Sequence, residues 1–166
     1  KVLRLLRDVR RELYEIFPGS GYFHLGCDEA YSYEKGDEDQ RMMREFLHDL
    51  IEEVKAEGKR PIIWGDMLLN ADAVGVADRR ENTNHDNCYF CGCDTVENAE
   101  KMIAAIPRDT VIADWHYDVL EAPVKTSIYL RDKGFDVLGV PWFKNENCRA
   151  YVDTVKAHGL FGLMVS

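Results

Sequence analysis

DEDQRMMREFLHDLIEEVKAEGKRPIIWGD, residues 37–66, decides how the rest of the chain is read. Its first part, 37–57, sets Met42, Met43, Phe46, Leu47, Leu50, Ile51 and Val54 at three- and four-residue spacing, the period of a helix with one apolar stripe. Asp37, Glu38 and Asp39 stand in the first turn, where the helix dipole favours anions, and Gly58 suits the position just past the last turn. Pro61-Ile62-Ile63-Trp64 then reads as a short buried strand that stops at Gly65-Asp66. A helix followed at once by such a strand is one step of an α/β repeat.

The step recurs on both sides. Upstream, 2–17 reads as a helix through Val2, Leu5, Leu6, Val9, Leu13, Ile16 and Phe17, stopped by Pro18-Gly19. The apolar run 21–26 follows as a strand and ends in Cys27-Asp28-Glu29. Downstream, 69–94 is an irregular stretch rich in Asn, Asp and Cys, with a short helix near 71–78. Thr95 caps a helix carrying Val96, Ala99, Met102, Ile103 and Ile106, which Pro107 ends. Val111-Ile112-Ala113 is the third strand, followed by Asp114-Trp115-His116-Tyr117. A helix near 122–133, a strand over 135–140 ending in Pro141-Trp142, a helix near 146–157 and a strand over 160–165 complete the chain.

Strands that alternate with helices through short connections imply right-handed crossovers and a parallel sheet. Four strands in a row end in residues able to do chemistry, which is where (β/α) barrels build their sites. An open doubly wound sheet would gather them at one crevice instead. The expected fold is therefore α/β, a partial (β/α)8 TIM barrel. A complete barrel takes about 250 residues, so 166 residues and five strands read as parallel strands four to eight with their helices. Two sheet edges would be left unpaired, an invitation to self-association through the barrel edges.

Composition narrows the partners. With 21 Lys plus Arg against 30 Asp plus Glu, the formal charge is −9, which argues against a nucleic-acid or anionic-membrane surface. No apolar run reaches the length of a membrane span. The five cysteines are odd in number and clustered, unlike a secreted disulfide framework, and point to a reducing, cytoplasmic compartment.

Asp28-Glu29 is the sharpest chemical signal. Adjacent carboxylates at the end of a buried strand are costly unless paired or used. Successive strand side chains point to opposite faces, so both reach one ligand only if the backbone turns, and Gly26 permits a turn. A carboxyl group among aromatic walls is suited to general acid work. Trp64, Trp115, Tyr117 and Trp142, each following a strand, supply flat apolar faces of the kind that stack on sugar rings.

His24-Leu25-Gly26-Cys27-Asp28-Glu29 resembles the His-x-Gly-Gly-Asp-Glu signature of the family 20 glycoside hydrolases, the β-N-acetylhexosaminidases, with Cys27 where that signature has its second Gly. Residues 59–67, Asp114-Trp115-His116-Tyr117 and Val140-Pro141-Trp142 are similar to that family's later strands, and the pattern is nearest its hexosaminidase-D-like branch. The resemblance implies that residues 1–166 are the C-terminal portion of such a catalytic domain. It implies a retaining, substrate-assisted hydrolysis of terminal β-linked N-acetylhexosamine, an exception to the two-carboxylate scheme. On it, Glu29 is the general acid and base, Asp28 holds the substrate acetamido group and Tyr117 donates to its oxygen. Trp64, Trp115 and Trp142 wall the sugar, with His24 and Asp66 in support. The partner is a carbohydrate substrate, and no metal or organic cofactor is required.

Other readings compete. A catalytically silent carbohydrate-binding or interaction domain would keep the same fold. His85, Cys88, Cys91 and Cys93 form a His-x2-Cys-x2-Cys-x-Cys cluster, which is either a structural zinc site or a loop of free thiols. His24 reads as a satisfied residue behind Asp28, and His116 either touches the ligand or points away. Asp66 and Asp114 either contact sugar hydroxyls or bond nearby backbone N–H groups. The run from Glu34 to Asp39 reads as a solvated helix start.

Overall fold

Helix and strand alternate along the chain in the computed structural model, which describes residues 2–30, 36–81 and 86–165. The elements in order are α1 (Val2–Ile16), β1 (Tyr22–His24), α2 (Asp37–Ala56), β2 (Arg60–Trp64), a 3-10 turn (Asp66–Leu68), α3 (Ala71–Val74), α4 (Val96–Ala105), β3 (Val111–Asp114), α5 (Lys125–Asp132), β4 (Asp136–Gly139), α6 (Asn145–His158) and β5 (Gly162–Leu163). Among the described residues the five strands form one sheet, every pair parallel, in the order β1-β2-β3-β4-β5. The strand order follows the chain without reversal, so this sheet has no switch point of the doubly wound kind.

Register separates the two faces. His24, Ile62, Val111 and Asp136 form one cross-strand row, and Trp64, Ala113, Leu138 and Gly162 form the row two residues on, on the same side. Ile63, Ile112 and Val137 lie between them, point to the opposite face and are buried. Helices cover that second face. Asp114 reaches α5 there, and a Cβ on Gly139 would lie 2.6 Å from the Tyr151 ring of α6. The first face is more open, with Ile62, Trp64 and Leu138 half-buried.

Helix signals in the sequence have direct counterparts. Thr95 Oγ1 accepts the Asn98 N–H at 3.1 Å, the expected cap of α4. Asp37, Glu38 and Asp39 occupy the first turn of α2 after Gly36. A cap that the sequence reading did not include is Asn70, whose Oδ1 accepts the N–H groups of Asp72 and Ala73 and starts α3.

Several expectations are corrected. The helix near 71–78 is the single turn α3, because Gly75 adopts a left-handed φ of 72° at its C-cap. The helix near 122–133 begins only at Lys125, because its N-cap Val124 is extended, with its N–H held by the Thr154 hydroxyl at 2.9 Å. The strand over 21–26 ends at His24, because Gly26 and Cys27 turn left-handed. The strand over 160–165 shrinks to Gly162–Leu163 at a sheet edge with one neighbour. On α2 the buried stripe runs through Gln40, Met43, Leu47, Leu50, Ile51 and Val54, leaving Met42 and Phe46 exposed. The apolar face of α1 is exposed at Leu5, Leu6, Val9 and Ile16. What α1 buries is Arg10, whose guanidinium bonds Glu57 at 2.6 Å and Glu53 at 3.1 Å, so α1 meets α2 through ion pairs. Glu34 lies outside the described residues.

Candidate active site

Three strand ends converge on one cleft of about 180 Å3, lined by Asp28, Glu29, Trp64, Arg79, Trp115 and Tyr117. The turn after β1 brings the two carboxylates to it. Gly26, Cys27 and Glu29 have φ of 74°, 70° and 45°, all left-handed. This coil cancels the alternation that would send neighbouring strand side chains to opposite faces. Its start is anchored to β2, since Leu25 N–H donates to Ile62 O at 2.8 Å and Trp64 N–H to Gly26 O at 3.1 Å. The turn expected at Gly26 is therefore present, and it runs through Cys27 as well. A left-handed non-glycine residue is strained, and such strain gathers at functional sites. The Cys27 thiol donates to Leu25 O at 3.6 Å, and burial first, then the Asp28 charge, pushes its pKa up to about 11.

Asp66 holds the far end of the turn. It is fully buried in the 3-10 turn after β2. Its Oδ2 accepts the Glu29 N–H at 2.9 Å, and its Oδ1 accepts the Trp115 indole N–H at 3.3 Å. One carboxylate thus ties the ends of β1, β2 and β3 together. Burial pushes its pKa up to about 7, the Asp28 charge adds to this, and the Glu29 N–H, His116 and Trp115 oppose it. Of the two readings of Asp66, a sugar contact or a bond to a nearby backbone N–H, the second is present, and its oxygens orient Glu29 and Trp115. Gly65, before it, has no room for a side chain, since a Cβ would lie 2.9 Å from Ile112 Cγ2.

The aromatic residues are graded in depth. Trp115 is buried and stacks on Phe90 with ring centroids 6.2 Å apart and planes at 15°. Tyr117 lies 5.1 Å from Trp115 and 5.1 Å from Trp142. Trp142 stands outside the cleft lining at the mouth, 49% exposed. His24 packs its ring 4.5 Å from Trp64, behind the cleft wall, and accepts the Gly26 N–H on Nδ1 at 3.0 Å. Burial lowers the His24 pKa and the Asp28 charge partly restores it.

Asp114 and His116 belong to the core. Asp114 Oδ2 accepts the hydroxyls of Thr126 at 2.8 Å and Ser127 at 2.5 Å, pinning α5 to β3. His116 Nδ1 accepts the Phe90 N–H at 3.3 Å, which puts the neutral ring's proton on Nε2. Nε2 lies 3.2 Å from Asp114 Oδ1, close in charge terms but not aligned as a hydrogen bond. His116 is buried and absent from the cleft lining, which fits the reading that it points away.

Cys88, Cys91 and Cys93 are buried and their contacts diverge. Cys93 Sγ–H donates to Met67 O at 3.3 Å and Cys88 Sγ–H to Asp86 O at 3.7 Å. Burial pushes the Cys93 thiol up to about 12 and raises Cys91 as well. Among the described residues no group of three or more His, Cys, Asp or Glu side chains is arranged to hold a metal ion. His85 lies outside the described residues.

Arg79 is the cleft residue that sequence reading missed. It comes from the irregular stretch, just after the bridge between Asp78 and Tyr89, and its Nε lies 3.4 Å from Asp118 Oδ2. The available signal was the Arg79-Arg80 pair, a basic doublet in a chain of charge −9. Comparison with known protein families and with curated proteins finds no match to this chain. No helix among the described residues is long and apolar enough to cross a membrane.

Proposed function

We propose that the cleft is the sugar site of a retaining, substrate-assisted glycoside hydrolase that removes terminal β-linked N-acetylhexosamine. The observation that carries this reading is the convergence of Asp28, Glu29, Trp64, Trp115 and Tyr117 on one cleft at the C-terminal ends of β1, β2 and β3. In this reading the sheet is part of a (β/α)8 barrel, its strands the fourth to the eighth. The unreversed parallel order and the site at the C-terminal strand ends support that assignment. Fold alone would not select the chemistry, so the residues must.

The step is a displacement at the anomeric carbon. The acetamido oxygen of the substrate attacks that carbon, the bond to the leaving oxygen breaks, and the Glu29 carboxyl gives its proton to the departing group. Asp28 accepts the acetamido N–H and offsets the positive charge of the oxazolinium ion, while the Tyr117 hydroxyl donates to the acetamido oxygen. Glu29, now a carboxylate, takes a proton from water as that water attacks the same carbon and reopens the ring. Trp64 and Trp115 hold the sugar so that its own oxygen is in line, an orientation effect worth on the order of 7–11 kcal/mol in the best intramolecular cases. Asp66 contributes by holding the Glu29 backbone.

The test is hydrolysis of a chromogenic β-N-acetylglucosaminide and its galacto epimer by the protein and its Glu29→Gln variant, with a thiazoline analogue of the oxazolinium ion as inhibitor. Activity abolished by the substitution and blocked by the analogue is the expected result. Absence of turnover on both sugars by the folded full-length protein that carries this chain refutes it. Binding of the glycosides without turnover would mark a catalytically silent sugar-binding domain.

A further inference from the structure

Beyond the cleft, the aromatic series continues outward. Trp142 packs edge-on to Phe143 with centroids 4.6 Å apart, so the rings run Trp115, Tyr117, Trp142, Phe143 from floor to rim. Exposure rises along it, from 6% at Trp115 to 49% at Trp142 and 68% at Phe143. Exposed neighbouring aromatics that extend a concave site are the usual mark of a surface awaiting a flat partner.

The same rim is cationic. Asp118, after β3, takes Lys144 Nζ at 3.1 Å on one oxygen and Arg79 Nε at 3.4 Å on the other. Two cations share this one carboxylate, in a chain whose overall charge is −9. Lys144 directly follows Phe143, so the charge stands beside the outermost ring. The cleft itself is net negative, since Asp28 and Glu29 line it against the one cation Arg79, which reaches from it to Asp118 at the rim. An anionic group would be repelled at the floor and attracted at the rim.

Resting on the hydrolase reading, we infer that the rim is a second subsite, for a leaving group that is a flat ring bearing a negative charge. Trp142 and Phe143 stack on the ring, and Lys144 with Arg79 pairs with its anionic substituent. The floor takes the neutral N-acetylhexosamine. Specificity follows from the charge gradient between the two ends, and an acidic sugar at the floor is excluded.

The experiment uses two aryl β-N-acetylglucosaminides that differ only in the leaving group, neutral 4-nitrophenyl and anionic 3-carboxy-4-nitrophenyl. Dissociation constants are read from tryptophan fluorescence on the Glu29→Gln protein and on the same protein with Lys144→Gln or Phe143→Ala added. The anionic glycoside should bind more tightly, and Lys144→Gln should reduce that preference about threefold to tenfold, with salt having the same effect. Phe143→Ala should weaken both glycosides together. Phe143 is exposed, and glutamine keeps most of the stem of the half-buried Lys144, so the variants should keep the parent circular dichroism. Equal binding of the two glycosides, or a preference untouched by Lys144→Gln, overturns the inference. Turnover of the neutral glycoside by the unsubstituted protein reads the hydrolase assignment separately, so each idea can fail alone.

Discussion

The left-handed coil after β1 makes a quantitative claim. Cys27 holds φ at 70°, and an L side chain in that region costs roughly 1–2 kcal/mol. Replacing Cys27 by Ala keeps the strain and removes a half-buried sulfur that packs on the core, a loss of about 1 kcal/mol. Replacing it by Gly loses the same sulfur, releases the strain, and adds about 0.5–1 kcal/mol of unfolded-state entropy. The glycine variant should therefore be more stable than the alanine variant by about 0.5–1 kcal/mol. At a residue with ordinary backbone angles the order is the reverse. Gly26→Ala isolates the backbone term, because φ is 74° and a Cβ there meets nothing within 4 Å. It should cost roughly 0.5–1 kcal/mol, the strain of about 1–2 less the entropy gain of about 0.5–1, with no clash to blame. Equilibrium urea unfolding followed by tryptophan fluorescence measures all three. If Cys27→Ala equals or exceeds Cys27→Gly in stability, the turn is not strained, and the argument that it aims the two carboxylates loses its basis.

Three further outcomes are expected. Burial lifts the Asp66 carboxyl from 3.8 to about 7, so between those values the folded protein holds a proton that the unfolded chain has released. That contribution to stability is full below the unfolded value and is lost as pH rises through about 7, so Asp66→Asn should flatten the fall of the urea midpoint between these limits; parallel curves for parent and variant would count against it. Arg10→Ala leaves Glu53 to Arg7 and Glu57 to Tyr14 and should cost roughly 1–2 kcal/mol, with earlier protease cleavage in α1, and unchanged proteolysis would show that α1 is held otherwise. Gly92→Ala would drive a Cβ to 2.7 Å from Met67 Sδ and 2.9 Å from its Cα, so a loss of about 1–3 kcal/mol should appear in thermal unfolding.

The parallel α/β order was legible because the strands are short apolar runs and the helices carry clear stops at Gly58, Gly134 and Gly159. The pairing of Asp28 with Glu29 in one cleft was legible too, since Gly26 offered the turn they needed. Faces were harder. Met42 and Phe46 fit the helical period of α2 as well as Met43 and Leu47 do, and only the neighbours of α2 decide which are covered. Arg10 lies among the polar residues of α1 by pattern, yet it is the residue that side buries, because Glu53 and Glu57 stand opposite it. Arg79 and Phe143 lie in irregular segments, where no period marks the inward side. Asp66 was singled out by its place after a strand, but its neighbour Trp115 comes from 49 residues away. Whether a carboxylate faces a ligand or a backbone N–H depends on such long-range partners.

Asp66 also bears on how the site and the sheet fail. Glu29 takes its backbone support from β2, and Trp115 takes its indole partner from the same carboxylate. The chain oxygen of Asp66 accepts the Gly92 N–H at 2.8 Å, so the Cys-rich segment depends on it as well. Separating β1 from β2 releases Glu29, separating β2 from β3 releases Trp115, and either event removes a partner of the buried Asp66 carboxyl group. Burying a carboxyl group without its hydrogen-bond partners is disfavoured, so a partly opened state with Asp66 still buried is a poor intermediate. The cleft should disappear with the sheet and not before it. Tryptophan emission, dominated by Trp64, Trp115 and Trp142, and far-ultraviolet circular dichroism should then give one urea midpoint. A fluorescence transition that precedes the loss of secondary structure would mean that the strand ends open independently, and that Asp66 is not the joint between them.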